Sequence, residues 1–517
     1  MEQDNMKGKT SLPKEVYQAL EAIVGPDYIS DDPAICQAYA RGGYGTFIYD
    51  KNSYPPACVI LPGNTKEVQH IVKVCNRYEI PFIPISTYYI SFCAPARPNV
   101  VMMDLKRMNR LIKIDEKNMY AIVEPYVSHS QLQVEAFKRG LYTISLGCGG
   151  QASVLANHIH SGLGPLGYRV GFNGSRRILG VEWVLPNGEI LRLGSPSVLK
   201  EYFWGEGPGP DLRGILRGLL GHFGGLGVVT KIAVKLFPFI PPKEAPIEPV
   251  GVTPKATLKL PTNRMKWYNI RYPTLESMIN GMYEISKAEI GAMVYSVPPI
   301  WIYIARSESR NELWEKWSKD KEKFRKEGFY FLRVLLVGYA SEKQLRYEER
   351  VLKDIASETG AIRISEGRPF DRSWIIGSDS VTVYNVAGVE LSTRFAFDSI
   401  DVAAKMLTSI AKLRDKYVPP FYDTADFGWI HSNDLGHIAY GEFLTYLDSE
   451  DVDLGEKFET LCIEKDLEER AYCGLQNPGR HRMLGPKMGN YHLILEKIKK
   501  SFDPKNLSNP PKPIDNI

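Results

Sequence analysis

Glycine, histidine and arginine carry the most informative chemistry in this 517-residue chain. Glycine-rich stretches occur at "CGGQAS", "SGLGPLG" and "GGLGVVT", beginning at residues 148, 161 and 224. Glycine lets a backbone approach a ligand closely and aim several N–H groups at phosphate oxygens. Three such loops in one region suit a dinucleotide; the plainer reading is loops of a large α/β domain. No GxGxxG follows a predicted strand and no GxxxxGK[ST] occurs, so neither a Rossmann site nor a P-loop is signalled. In "GRHRM", His481 stands beside Arg482, a cation that stays charged at any working pH and can receive developing negative charge, or form a surface ion pair. "HSNDLGH" offers His431, Asp434 and His437 as conceivable metal ligands. On two strands joined by a turn such histidines are more often structural, and no metal is assigned.

These residues need a framework. "ACVIL" and "IPFIPIS" are short apolar runs flanking a helix, whose capping box is Asn64 with Glu67 and whose buried stripe is Val68, Ile71, Val72 and Cys75. Strand, helix, strand implies a right-handed parallel crossover. The stretch "PISTYYISFCAPARP" that follows contains no glycine at all. Further on, Ser128 and Gln131 cap a helix ending at Gly140, and "RILGVEWVLPNGEILRLG" reads as a hairpin turning at Asn187-Gly188. The proline-dense "FIPPKEAPIEPVGVTPKATLKLP" marks a domain boundary. Beyond it, amphipathic helices ("TLESMINGMYEISKA", "SEKQLRYEERVLKDIASETG", "SIDVAAKMLTSIAKLRDKY") alternate with strands ("FYFLRVLLVGYA", "DTADFGWIHS", "HIAYGEFLTYLD"), which predicts helices packed on an antiparallel sheet.

Bulk composition narrows the classes. At this length two or three domains are expected. The 64 basic and 60 acidic side chains nearly cancel, and no Lys/Arg-dense stripe suggests nucleic acid. Seven scattered cysteines without a CxxC argue against a disulfide framework, a zinc site or an iron–sulfur cluster. The N-terminal stretch carries charges where a signal peptide needs apolar residues, and no apolar run is long enough to span a bilayer. The expectation is a soluble, cytoplasmic protein.

The order "PGNTKEVQHIVKVCNRYEIPFIPIS", "VVMMDLKRMNRLIKID", "YAIVEPYVSHSQL", "SVLANHIHSGLG", "GVEWVLPNGEILRLG", "GGLGVVTKIAVKLFP" and "FDPKNLSNP" resembles the FAD-binding flavoproteins of the vanillyl-alcohol oxidase and p-cresol methylhydroxylase family. The 4-alkylphenol-oxidising branch is the most similar. The resemblance implies an α+β chain: a p-cresol methylhydroxylase-type FAD-binding domain of two subdomains over 1–243, a substrate cap over 244–478, and a segment 479–517 returning to the FAD domain. It implies an FAD-dependent oxidoreductase that dehydrogenates a small aromatic substrate, 4-alkylphenol or hydroxybenzyl-like, by hydride transfer to flavin N5. Its partners would be that substrate and an electron acceptor such as oxygen, a cytochrome or another redox protein, in a homo- or hetero-oligomer. Two other readings stand beside it: a flavin-poor structural subunit paired with a catalytic homologue, and an FAD-dependent 2-hydroxy-acid dehydrogenase.

Carried over by position, Ser86, Thr87, Tyr88, Tyr89, Ile90 and Ser91 would hold the FAD pyrophosphate. Gly149, Gly150, Ser153, Asn157, Gly162 and Gly164 would line ribose, pyrophosphate and flavin, and Val228 and Val229 would face the adenine. Arg482 matches the arginine that stabilises phenolate and reduced flavin. Departures are equally specific. The family's tyrosine beside that arginine is His481, a second active-site tyrosine falls near Cys93, and the acid/base aspartate falls near Asn173, whose amide cannot exchange a proton as a carboxylate does. Tyr168 and His481 are the remaining polar candidates. Gly436 stands where one branch has a flavin-linked histidine, with His437 one place on, so noncovalent FAD is expected. In the phosphate loop, non-glycine residues at positive φ would cost about 1 kcal/mol or more each. A different backbone path, with Ser86, Thr87 and Ser91 hydroxyls standing in for N–H donors, is therefore expected there. An aromatic-rich cap (Tyr422, Phe427, Trp429, Tyr440) would cover the ring.

Overall fold

The computed structural model describes residues 11–40, 53–88, 93–144, 150–160, 164, 167–170, 177–198, 209–216, 222–240, 247–250, 255–258, 263–304, 306–327, 330–367, 387, 389–448, 451–471, 481–510 and 512. The expected crossover is present. Strands β1 (Ile29–Ser30), β2 (Cys58–Ile60), β3 (Phe82–Ile85) and β4 (Val101–Asp104) form a sheet in the order β1-β2-β4-β3. Both β2 and β3 pair parallel with β4, which lies between them. Helices α1 (Lys14–Val24), α2 (Pro33–Ala40) and α3 (Thr65–Tyr78) flank this sheet. The Asn64 side chain accepts from the amides of Lys66 and Glu67, and Val68, Ile71, Val72 and Cys75 of α3 are buried, as their spacing predicts.

A second, wholly antiparallel sheet follows: β5 (Leu111–Asp115), β6 (Tyr120–Val123), β8 (Ile178–Val184), β9 (Ile190–Leu193) and β10 (Val228–Lys235), in the order β5-β6-β10-β8-β9, while β7 (Leu141–Tyr142) pairs separately with β11 (Phe237–Pro238). The hairpin between β8 and β9 turns at Asn187-Gly188, where Gly188 takes φ +85°. Helix α4 (His129–Phe137) begins at Ser128, whose Oγ accepts from Gln131 N, and α5 (Val154–His160) begins just after Ser153.

Strands β12 (Ile247–Val250) and β13 (Lys255–Leu258) form a small ribbon within the proline-dense stretch. Beyond it stands a seven-stranded antiparallel sheet of β14 (Met265–Tyr272), β15 (Met293–Ser296), β16 (Tyr330–Val337), β17 (Arg363–Glu366), β18 (Val389–Asp398), β19 (Trp429–Asn433) and β20 (Ile438–Leu447), in the order β17-β14-β16-β15-β19-β20-β18. Helices Leu275–Lys287, Glu342–Glu358 and Ile400–Arg414 bury one face, through Met278, Ile285, Leu345, Leu352, Ala403 and Leu407. The other face is covered in part by two helices that the sequence pattern did not single out, Ile300–Ile304 and Arg310–Glu327, through Trp301, Leu313 and Trp317. Phe137, Tyr142 and Phe239 pack into that same cluster, so this is the face that meets the first half of the chain. Among the described residues no helix is long and apolar enough to cross a membrane, and Cys36, Cys58, Cys75, Cys93 and Cys462 are free thiols.

The C-terminal helix Tyr491–Phe502 lies back on the first half of the chain. The Lys499 ammonium, buried beside Asp503, donates to Gly225 O and Ser508 O. Ser508 Oγ in turn accepts from Gly227 N and donates to Gly224 O.

Candidate functional site

A cavity of about 210 Å3 opens where three sequence-distant segments meet. One is the end of β3 with Ser86, Thr87, Tyr88 and Cys93; the second is α5 with Ser153, Asn157 and His160; the third is His222, Phe223, Gly224 and the start of β10, Val228 and Val229. Leu105, Pro125, Leu155 and Ile159 supply apolar wall. Among the described residues, Val228 and Val229 pair only with β8, because β6 joins β10 from Ile232 onward. This leaves the other edge of these two residues toward the cavity.

The glycine-free loop solves its backbone problem with a tyrosine. Tyr88 takes φ +49°, a left-handed conformation that costs a side-chain-bearing residue roughly 1–2 kcal/mol. Tertiary contacts hold it there: its hydroxyl donates to Tyr39 O at 3.2 Å and its ring stacks on Tyr39 with centroids 6.4 Å apart. The tyrosine is thus anchored on α2 at one rim of the cavity. The Tyr39 hydroxyl itself donates to buried Asp104, at 2.7 Å. Thr87 Oγ1 accepts from Ser153 N at 3.1 Å and ties the loop to the start of α5, while Ser153 Oγ donates to Pro125 O and accepts from Ala156 N. Gly224 and Gly227, at φ +72° and +101°, allow the third segment to close against the others. A Cβ on Gly224 would lie 2.5 Å from Pro84 Cγ, and one on Gly227 would lie 2.3 Å from Val184 O.

Among the described residues, no arginine or lysine lines this cavity. Burial lowers His160 and His222 to about 4, so both present neutral imidazoles near pH 7. Burial likewise raises the Cys93 thiol to about 11 and keeps it protonated. Behind Asn157 a column of polar side chains runs inward. Asn157 Nδ2 lies 3.0 Å from His129 Nε2, and the His129 ring stacks on His158 with centroids 5.9 Å apart. Burial, with the charge of nearby Arg177 second, lowers His129 to about 3. Arg177 is itself buried, and desolvation lowers it to about 9.

The expected site residues divide by position. Ser86, Thr87, Tyr88, Ser153, Asn157, Val228 and Val229 do come together around the cavity. Gly150 and Gly164 do not line it; their carbonyls accept from Ser130 N and Gly167 N. Tyr89, Ile90, Ser91, Gly149, Gly162 and Asn173 lie outside the described residues. His481 is buried at the start of the short helix His481–Leu484, which also includes the backbone of Arg482.

Tyr168 lies elsewhere than a cavity residue would. It is fully buried in the core formed by the cap sheet and its helices, and its hydroxyl donates to Ser286 Oγ at 3.4 Å. It belongs to a clamp. Leu435 N donates to Tyr168 O, while Arg169 donates to Gly291 O, Glu289 O and buried Glu348. A Cβ on Gly167 would stand 2.6 Å from Asn433 Oδ1.

On the cap face that meets the FAD-side segments, strand alternation and register gather side chains that the sequence pattern only partly disclosed. Trp429 pairs across with Glu442, and His431 with Tyr440. The Trp429 indole donates to Glu442 Oε2 at 2.9 Å, and the Trp301 and Tyr440 rings lie 5.7 and 5.6 Å from it. Tyr422 instead stacks on Trp314 at 4.3 Å, and Phe427 belongs to the core on the opposite face, so neither joins Trp429 and Tyr440. His431 is buried against Tyr295, whereas His437 is exposed. No three His, Cys, Asp or Glu side chains converge among the described residues.

Residues 56–194 match the family model for an FAD binding domain. Residues 56–194 thus form an FAD binding domain, and the chain has the fold of p-cresol methylhydroxylase. It superposes on p-cresol methylhydroxylase with a TM-score of 0.70 at 18% identity, covering 96% of this chain and 95% of the other. On 4-ethylphenol oxidase from Gulosibacter chungangensis the TM-score is 0.73 at 20% identity, covering 97% of each chain. In sequence, it is 30% identical over 205 residues to the 4-cresol dehydrogenase (hydroxylating) flavoprotein subunit of Pseudomonas putida, covering 38% of this chain and 37% of that protein. It is 28% identical over 235 residues to glycolate oxidase subunit GlcD of Bacillus subtilis, covering 44% and 46%. The matched stretches thus span less than half the length of these curated relatives.

The donor set fits FAD. Hydroxyls of Ser86 and Thr87, the Asn157 amide, neutral imidazoles and apolar wall suit a nucleotide held by hydrogen bonds rather than by ion pairs.

Proposed function

We propose that this protein is an FAD-dependent oxidoreductase that dehydrogenates a small aromatic substrate of the 4-alkylphenol or hydroxybenzyl type, with FAD held noncovalently. The observation that carries this reading is the group of Trp301, Trp429, Tyr440 and Glu442 on the cap face toward the FAD-binding domain. When bound, FAD supplies the two-electron oxidation of the substrate. The chain's residues do the rest. Ser86, Thr87 and Asn157 bind the nucleotide end, and the tryptophans and tyrosine exclude water and stack on an aromatic ring. The Glu442 carboxylate, oriented by the Trp429 indole, takes the proton that a phenol or alcohol gives up, the task the amide of Asn173 cannot perform. Arg482 balances negative charge that develops on oxidation.

The test is anaerobic bleaching of the FAD-loaded protein by 4-ethylphenol or 4-hydroxybenzyl alcohol, set against glycolate and D-lactate. Bleaching by the phenols supports the reading, and bleaching by the hydroxy acids alone replaces it with the 2-hydroxy-acid reading. Glu442→Gln should lower kcat by about 10²–10⁴-fold with KM little changed; unchanged turnover would remove Glu442 from the mechanism.

A further inference from the structure

We infer that His129, which does not itself line the FAD cavity, is a positioning residue for the cofactor: it fixes the orientation of the Asn157 amide at the cavity wall. The inference rests on the reading of this cavity as the FAD site. Asn157 lines the cavity and is itself buried. Its Nδ2 lies 3.0 Å from His129 Nε2, and an amide nitrogen can only donate, so the imidazole accepts through Nε2 and carries its proton on Nδ1. A charged imidazole has no lone pair to offer. Burial, with the charge of Arg177 second, lowers His129 to about 3, which keeps the acceptor in place near pH 7.

The backbone brings the two side chains together. His129 opens α4, and its N–H donates to Ala152 O at 2.9 Å, while Val154 N donates to Val127 O at 2.9 Å. These bonds tie the start of α4 to the start of α5. Asn157 N donates to Ser153 O at 3.0 Å, so Asn157 stands one turn further along that same helix. The His129 ring also stacks on His158, with centroids 5.9 Å and planes 19° apart, and His158 is held in turn by its Nδ1 donating to Val154 O at 2.8 Å. Withdrawing an imidazole fully from water has a cost that an apolar side chain would not carry, and the hydrogen bond to Asn157 offsets part of it. Without this acceptor the Asn157 amide can turn end for end. It would then offer the cofactor an acceptor in place of a donor, or the reverse.

Equilibrium titration of the full-length protein with FAD, followed by flavin fluorescence, tests this without reference to turnover. His129→Phe keeps a ring against His158 and removes the acceptor, and should weaken FAD binding about tenfold, the effect of leaving one buried donor unpaired. His129→Gln, whose amide oxygen can take the place of Nε2, should restore binding to within about twofold of the wild type. The double variant His129→Phe with Asn157→Ala should bind FAD no more weakly than Asn157→Ala alone, since His129 acts through that amide. Where His129→Phe does not fold, His129→Asn, too short to reach Asn157, takes its place in both comparisons. FAD affinity unchanged by loss of the acceptor, His129→Gln as weak as His129→Phe, or additive losses in the double variant would each overturn the assignment. A wild-type protein that takes up no FAD would overturn the reading of the cavity together with it.

Discussion

At the scale of single residues, Tyr88 shows how a glycine-free loop can still adopt a left-handed turn. The conformational cost of φ +49° falls on one side chain, and the same side chain recovers it through Tyr39. Tyr88→Phe keeps the ring contact and removes the hydrogen bond, and should destabilise by about 1 kcal/mol in urea unfolding monitored by fluorescence. A change within error would mean that ring packing alone holds the turn. The absence of glycine was plain in the sequence. That Tyr88 in particular adopts the left-handed backbone was not, because Tyr39 lies 49 residues upstream and nothing local couples the two. Glu442 was hidden for a related reason: "GHIAYGEF" reads as a strand, but its partner Trp429 is set by pairing register, which side-chain alternation alone does not specify.

At the scale of elements, the clamp at 167–170 is the link between the segment following α5 and the cap. Arg169 crosses to two backbone carbonyls and to Glu348, whose carboxylate also accepts from Gly291 N. Arg169→Ala leaves buried Glu348 without its cation and should cost roughly 1–3 kcal/mol of thermal or chemical stability. It should also make FAD dissociate faster from the loaded protein. Lost stability with unchanged FAD dissociation would mean that the clamp holds only the cap. Secondary structure was legible where caps and periodicity agreed, as at Asn64 and Ser128, each of which accepts the expected backbone N–H. The helix Arg310–Glu327 was not read, since its polar, lysine-rich surface leaves only a few apolar contacts, such as Leu313 and Trp317, to mark the buried side. Tyr168 was read as a polar candidate because it stands close in sequence to the flavin-loop motif. Its side chain instead turns into the cap core, where burial and a hydroxyl partner account for it.

At the scale of the molecule, two sheets at the N-terminal side and one large antiparallel sheet in the cap meet across a cluster shared by Phe137, Tyr142, Phe239 and the cap aromatics. The C-terminal helix closes the first half through Lys499 and the segment at Ser508. This is the fold shared with p-cresol methylhydroxylase and 4-ethylphenol oxidase. The central claim is that the cavity between Ser86, Asn157 and Val229 holds FAD for use in oxidation. The most direct measurement is the visible spectrum of the purified protein, before and after acid precipitation and then with 4-ethylphenol under anaerobic conditions. The account predicts a flavin spectrum, flavin released into the acid supernatant, and bleaching by the substrate. A colourless protein that takes up no added FAD would contradict it.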